Sequence, residues 1–151
     1  MKRVRRGQAT VEFALGAMVF FMLVFGVIEA GRAVFVYGQL RNAAREGARY
    51  AAAHGCVGNP SVTPSNYSKY LTPYVRDLVQ GIDPNALTLT ATWSDSLGSG
   101  TVPNQAICPN MPNRPGVEVT VTATYTFQPA VGIVFDVSIP MSASSTMRIH
   151  Y

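Results

Sequence analysis

Apolar positions along this chain follow two different periods. From Phe13 to Ile28 there is no charged side chain over 16 residues. That run is shorter than the ~20 residues a helix needs to cross a bilayer. Thr10 and Val11 extend it on one side, and Ala30 to Val36 on the other. Between Arg6 and Arg32 lie 25 residues, or ~37 Å of helix at a rise of ~1.5 Å per residue. The pattern therefore predicts a membrane span over about 11–36. After Val36 the sequence becomes amphipathic. Leu40, Ala43, Ala44, Gly47, Ala48 and Ala51 form a narrow stripe of small residues, which permits close helix packing. Arg41, Arg45 and Arg49 recur at every fourth position on another face. One long helix over 8–53, interrupted by no proline, accommodates both parts. His54-Gly55 then predicts a left-handed cap.

The second regime begins at about residue 54. Cys56 to Pro64 reads as a loop. Tyr67, Leu71, Tyr74, Leu78 and Val79 share a helix-spaced apolar face, with Ser65 or Asn66 as cap and Gly81 as stop. Pro73 falls inside that pattern and predicts a kink there or a start near Leu71. Leu87 to Trp93 alternates apolar residues with threonine and predicts a half-buried strand. Ser94 to Gly116 is broken by prolines and glycines into a long loop. Val117 to Phe127 is the strongest strand. Val117, Val119, Val121, Ala123, Tyr125 and Phe127 face the core, and Thr120, Thr122, Thr124 and Thr126 face away. Gln128 to Pro140 carries the apolar cluster Val131, Ile133, Val134, Phe135 and Val137, read as a buried turn or as a contact with the membrane surface. A last strand over 142–151 presents Ala143, Ser145, Met147, Ile149 and Tyr151 to one side. The expected fold is α+β: a long N-terminal helix, one short helix, and an antiparallel sheet of about three strands packed on the upper part of the long helix. The expected organisation is a basic segment over 1–7, the long helix over 8–53 and a head over 54–151.

Charge changes the picture only at the N-terminus. The chain has 12 basic and 8 acidic residues, net +4. Lys2, Arg3, Arg5 and Arg6 precede Gly7, so removal of 1–7 leaves eight against eight, net zero. The basic balance thus reports topology and not a nucleic-acid surface, and no nucleic-acid partner is expected. Basic residues before the span place the N-terminus in the cytoplasm and the head outside. Arg41, Arg45 and Arg49 on the far side weaken that contrast. They are either a solvated face or contacts for lipid phosphates or neighbouring subunits.

No catalytic, cofactor or metal site is legible. The two histidines, His54 and His150, have no partner at ligand or triad spacing. The acids Asp77, Asp83, Asp95, Glu118 and Asp136 are scattered, and Gly98-Ser99-Gly100 lacks the lysine of a phosphate loop. An enzyme is not expected. Cys56 and Cys108 have 51 residues between them and no zinc-ligand spacing. In an oxidising compartment one disulfide is the simplest state, worth at most on the order of 4 kcal/mol; two buried thiols is the alternative.

Glu12 is the odd residue. It is either an acid in the first helical turn, offsetting the macrodipole, or a charge required within the membrane-proximal helix. The basic head ending in Gly7, an acid at the fifth position after it and a long apolar helix resemble the class III signal of type IV pilin-like proteins. Gln8-Ala9-Thr10-Val11-Glu12-Phe13-Ala14-Leu15, Phe25 to Arg32 and Leu40 to Arg49 resemble the TadE-like family, minor pilins or pseudopilins of tight-adherence (Flp-type) pili. That resemblance implies cleavage between Gly7 and Gln8 by a prepilin peptidase. It also implies a role for Glu12 in neutralising the amine of a neighbouring subunit during assembly. Implied partners are the membrane, other pilin or pseudopilin subunits and the pilus assembly platform; the implied location is the inner membrane or a surface pilus. Gln8 departs from the phenylalanine that usually begins mature type IV pilins. Two alternatives carry the same signal: a pseudopilin of a secretion or DNA-uptake system, and an anchored binding module whose signal anchor is never cleaved.

Overall fold

The computed structural model describes residues 5–94, 108, 111–130 and 138–150, with side chains from Gly7 onward. Lys2, Arg3, Asp95, Gly98-Ser99-Gly100, the cluster Val131 to Val137 with Asp136, and Tyr151 lie outside the described residues. The elements are α1 (Arg5–Ala53), α2 (Tyr67–Leu78), β1 (Thr88–Ser94), β2 (Glu118–Phe127) and β3 (Ile139–Arg148). The α+β architecture expected from the sequence is the one observed: a long apolar helix, one short helix and a three-stranded antiparallel sheet.

The sheet order is β1-β2-β3, with both pairs antiparallel. The strict alternation of β2 explains this arrangement. Val119, Val121 and Ala123 are fully buried, and Phe127 nearly so. The intervening threonines face outward, as a period of two requires. On that outer face Thr92, Thr120 and Thr146 stand in one row, and Thr88, Thr124 and Ser142 in another. The Thr120 and Thr146 hydroxyls are 2.7 Å apart. β-branched side chains suit such a solvated sheet face.

The inner face lies on the upper half of α1. Val36, Leu40, Ala43, Ala44, Ala48 and Ala51 are buried in one core with Leu71, Val75, Leu87, Val119, Val121 and Ile149. The small stripe is therefore part of the head's own core, not a seam awaiting another helix. Small side chains are needed because the sheet and α2 both press onto one helix face. Gly47 marks the tightest point. A Cβ there would stand 3.0 Å from Val121 Cγ1 and 3.3 Å from Val75 Cγ2. At Gly38 a Cβ would meet nothing within 4 Å. Gly47→Leu is expected to cost ~1–3 kcal/mol through overpacking. Gly38→Ala is expected to be neutral or to gain up to ~1 kcal/mol from helix propensity. Thermal melts of the full chain in micelles, followed by the fluorescence of Trp93, distinguish the two; equal effects would refute this packing.

Three local expectations are corrected. Pro73 neither starts nor displaces α2: the helix runs from Tyr67 through it. Its start is set upstream, where Asn66 Oδ1 accepts from Thr63 N at 2.7 Å and Asn66 Nδ2 donates to Ser61 O. The buried residues of α2 are Leu71 and Val75, whereas Leu78 is 39% exposed. The contact with α1 is centred at Gly47, between Leu71 and Val75, and Leu78 lies beyond it. Finally, Gly55 does not supply a left-handed cap; the described glycines with positive φ are Gly81 and Gly116. The end of α1 is held instead by His54 N donating to Tyr50 O and Val62 N donating to His54 O.

Candidate functional site

Below the head, α1 continues alone. From Gly7 to Ile28 every described side chain is exposed except the half-buried Ala17. Phe13, Met18 and Met22 are each more than two-thirds exposed. These 22 residues amount to ~33 Å of helix, close to the ~30 Å of a hydrocarbon core. An apolar surface of this length with no protein cover fits a single-pass membrane anchor. The helix containing it is long and apolar enough to cross a membrane.

Glu12 lies within this uncovered segment. Gly7, Gln8, Val11, Glu12 and Leu15 line one open concavity along a single helix face. The helix begins at Arg5 and has no acid in its first turn. Glu12 is thus about two turns in, and the first-turn macrodipole reading does not hold for the chain with its basic segment attached. Its carboxylate is exposed on the otherwise apolar cylinder. Uncompensated charge at such a position is costly in lipid unless a partner neutralises it.

At the upper end of the uncovered segment a polar clamp ties the sheet to α1. Glu29 Oε1 accepts from Arg32 Nη1 at 3.2 Å and from Ala130 N at 3.0 Å. Arg32 Nη2 donates to Gln128 O, and the guanidinium lies 4.8 Å from the centre of the Phe127 ring. The spacing of three residues between Glu29 and Arg32 puts them one turn apart, within reach of a pair. The capture of the β2 end was invisible to it, because residues roughly 100 positions apart meet only when the sheet docks.

The basic row is split by its surroundings. Arg41 and Arg45 are exposed and enter no ion pair among the described residues. Arg49 bonds Glu46 at 2.8 Å. That hydrogen bond and charge raise the Arg49 pKa above its ordinary value. Arg49 also lines a shallow cleft with Ala52, Ala53, Met147, Arg148 and His150. The His54 ring stacks on Tyr50 at 4.0 Å, and Tyr50 stacks on Tyr74 at 4.3 Å. No group of three metal-ligating side chains occurs among the described residues.

Cys56 and Cys108 are joined in a disulfide. It links the end of α1 to the loop that precedes β2. Asn113, missed by sequence reasoning, reinforces that link from a fully buried position. Its Nδ2 donates to Ser61 Oγ and Val62 O, each at 2.9 Å, and its backbone carbonyl accepts from Cys56 N. A lone asparagine in a proline-rich loop gives no signal of burial, so only its partners reveal it.

No curated protein and no solved structure matches this chain. The family model described as TadE-like protein matches residues 7–49, so over the uncovered helix and most of the small-residue stripe above it this chain is similar to the TadE-like family.

Proposed function

We infer that this protein is a non-enzymatic minor pilin or pseudopilin of a tight-adherence pilus, cut between Gly7 and Gln8. The observation that carries this reading is the uncovered apolar helix with one carboxylate, Glu12, near its start, inside the segment matched by the family model. A helix that buries nothing of its own from Gly7 to Ile28 suits two successive environments, lipid and then the apolar faces of other subunits. Both are as apolar as the helix, so transfer between them costs little. Cleavage would create an amine at Gln8, about one turn below Glu12. In a low-dielectric bundle an amine from one subunit and a carboxylate from the next stabilise each other. Arg41 and Arg45, exposed above the span, are available to acidic groups of neighbouring subunits or of the assembly platform. The basic residues before the span favour a cytoplasmic N-terminus and an extracytoplasmic head, where the disulfide would persist.

The test is the intact mass and N-terminal sequence of the protein taken from its own membranes, for the parent and for Glu12→Ala. A chain beginning at Gln8 is expected in both. The variant is expected to insert and be cut normally yet be depleted from sheared pili by at least tenfold, about 1.4 kcal/mol of assembly free energy. A parent chain still beginning at Met1 points to an uncleaved anchor. Normal incorporation of Glu12→Ala removes the proposed role of the carboxylate.

A further inference from the structure

The lower edge of the head continues the apolar surface of the anchor. Ile139 extends the inner row of β3 past the core and is 41% exposed. Val34 on α1 is 72% exposed and Tyr37 46%. Ala33, Val34 and Tyr37 face Pro140, Met141 and Ser142 across an open groove of about 500 Å³. Its walls are mostly apolar, and no charged side chain lines it among the described residues.

Height along the helix decides what can fill this groove. The apolar run ends at Ile28. Arg32 stands ~6 Å and Val34 ~9 Å above it along the helix axis. The interfacial layer on each side of a bilayer is ~5–8 Å deep, so Arg32 falls within it and Val34 at its outer boundary. The Arg32 guanidinium lies against Phe127, and Phe127 is the register partner of Ile139. The clamp thus holds Ile139 at the level where the helix leaves the hydrocarbon. Arg32 suits that level, with its stem along apolar surface and its head among polar groups.

We propose that the edge formed by Val34, Ile139 and Met141 is a lipid-contacting surface, embedded in the phospholipid interface on the head side of the membrane. This rests on the reading of Gly7 to Ile28 as a membrane span. Lipid is the occupant because the groove is continuous with the span and lies at interfacial height. Its partner must offer apolar area at the bottom and polar groups at the top. The Glu29–Arg32 clamp then fixes the tilt of the head on the bilayer before assembly, and the surface is released when the subunit leaves the membrane.

The experiment uses the full chain in vesicles of phosphatidylethanolamine and phosphatidylglycerol. In a Trp93→Phe background, a single tryptophan is introduced as Ile139→Trp, Val34→Trp, Phe20→Trp or Thr90→Trp. All four positions are surface-exposed, and each variant is required to keep the parent melting temperature. Fluorescence is read with lipid brominated near the headgroup and with lipid brominated deep in the acyl chain. Positions 139 and 34 are expected to lose fluorescence chiefly to the shallow quencher, position 20 to the deep one, and position 90 to neither. Quenching at 20 with 139 matching 90 overturns the proposal and leaves the anchor intact, whether 34 is quenched or not. Absence of quenching at 20 removes the anchor reading itself, and the proposal with it.

Discussion

Replacing both Cys56 and Cys108 by serine is expected to destabilise the head by about 4 kcal/mol, the loop-closure value for a crosslink of this span. The two cysteines are 52 positions apart. The closed segment contains α2 and β1, so the crosslink restricts slightly more than half of the head in the unfolded chain. In the folded state little would change. Asn113 still bridges to Ser61 and Val62, and Cys56 N still donates to Asn113 O. The loss should therefore arise mostly from the greater freedom of the unfolded chain, with the same native fluorescence of Trp93. For a domain of this size it corresponds to a fall of roughly 15–30 °C in melting temperature. The measurement is a melt of the full chain in micelles, oxidised parent against the double variant. A fall of only a few degrees would mean that the unfolded head keeps these segments together without the crosslink.

Leu71→Ala is expected to cost ~2–5 kcal/mol, with the value in the upper half of that range. Leu71 is fully buried where α2, α1 and β2 converge. The neighbour across the gap is Gly47, which has no side chain to move into the space, and the alanines of α1 have none to spare. The site relaxes poorly, and the cavity term stays close to its full size. Membrane insertion of the same variant is expected to be unchanged, because Gly7 to Ile28 packs on nothing in the head. Chemical denaturation followed by Trp93 measures the first statement, and resistance of the membrane-bound chain to alkaline extraction measures the second. A loss below ~1 kcal/mol would show that the head closes over the gap. Loss of insertion would show that the anchor depends on the head.

Much of this architecture was legible because two short periods carry it. The threonine alternation of β1 and β2 can bury only one face, so strand and orientation follow together. The uncharged stretch before Glu29 is apolar on every side, so its exposure outside the head could be read directly. Pro73 shows the opposite case: of the kink or later start its position predicts, the later start is ruled out because hydrogen bonds among Ser61, Thr63 and Asn66 set the beginning of α2 at Tyr67. Gly55 is similar, since a cap signal was set aside by a loop that folds back through Val62. The site divides in the same way. Glu12 and Gly7 stand out in sequence because each breaks a pattern around it. Asn113 and the Phe127–Ala130 end of β2 break none, and they matter only through groups far away in the chain.

What the sequence by itself determined was the α+β division, the length and polarity of the anchor, the inward face of each strand, and the single acid near the start of the apolar run. These depend on spacing between near neighbours, which a period of two or of 3.6 makes readable. What only the tertiary structure decided was where the head sits. It showed that the small stripe from Leu40 to Ala51 closes on the head's own sheet and α2. It also showed that Glu29 and Arg32 hold the end of β2, and that Val34 faces the start of β3 across an open groove. Those outcomes depend on contacts between distant segments, whose geometry is fixed by mutual packing and by no local pattern.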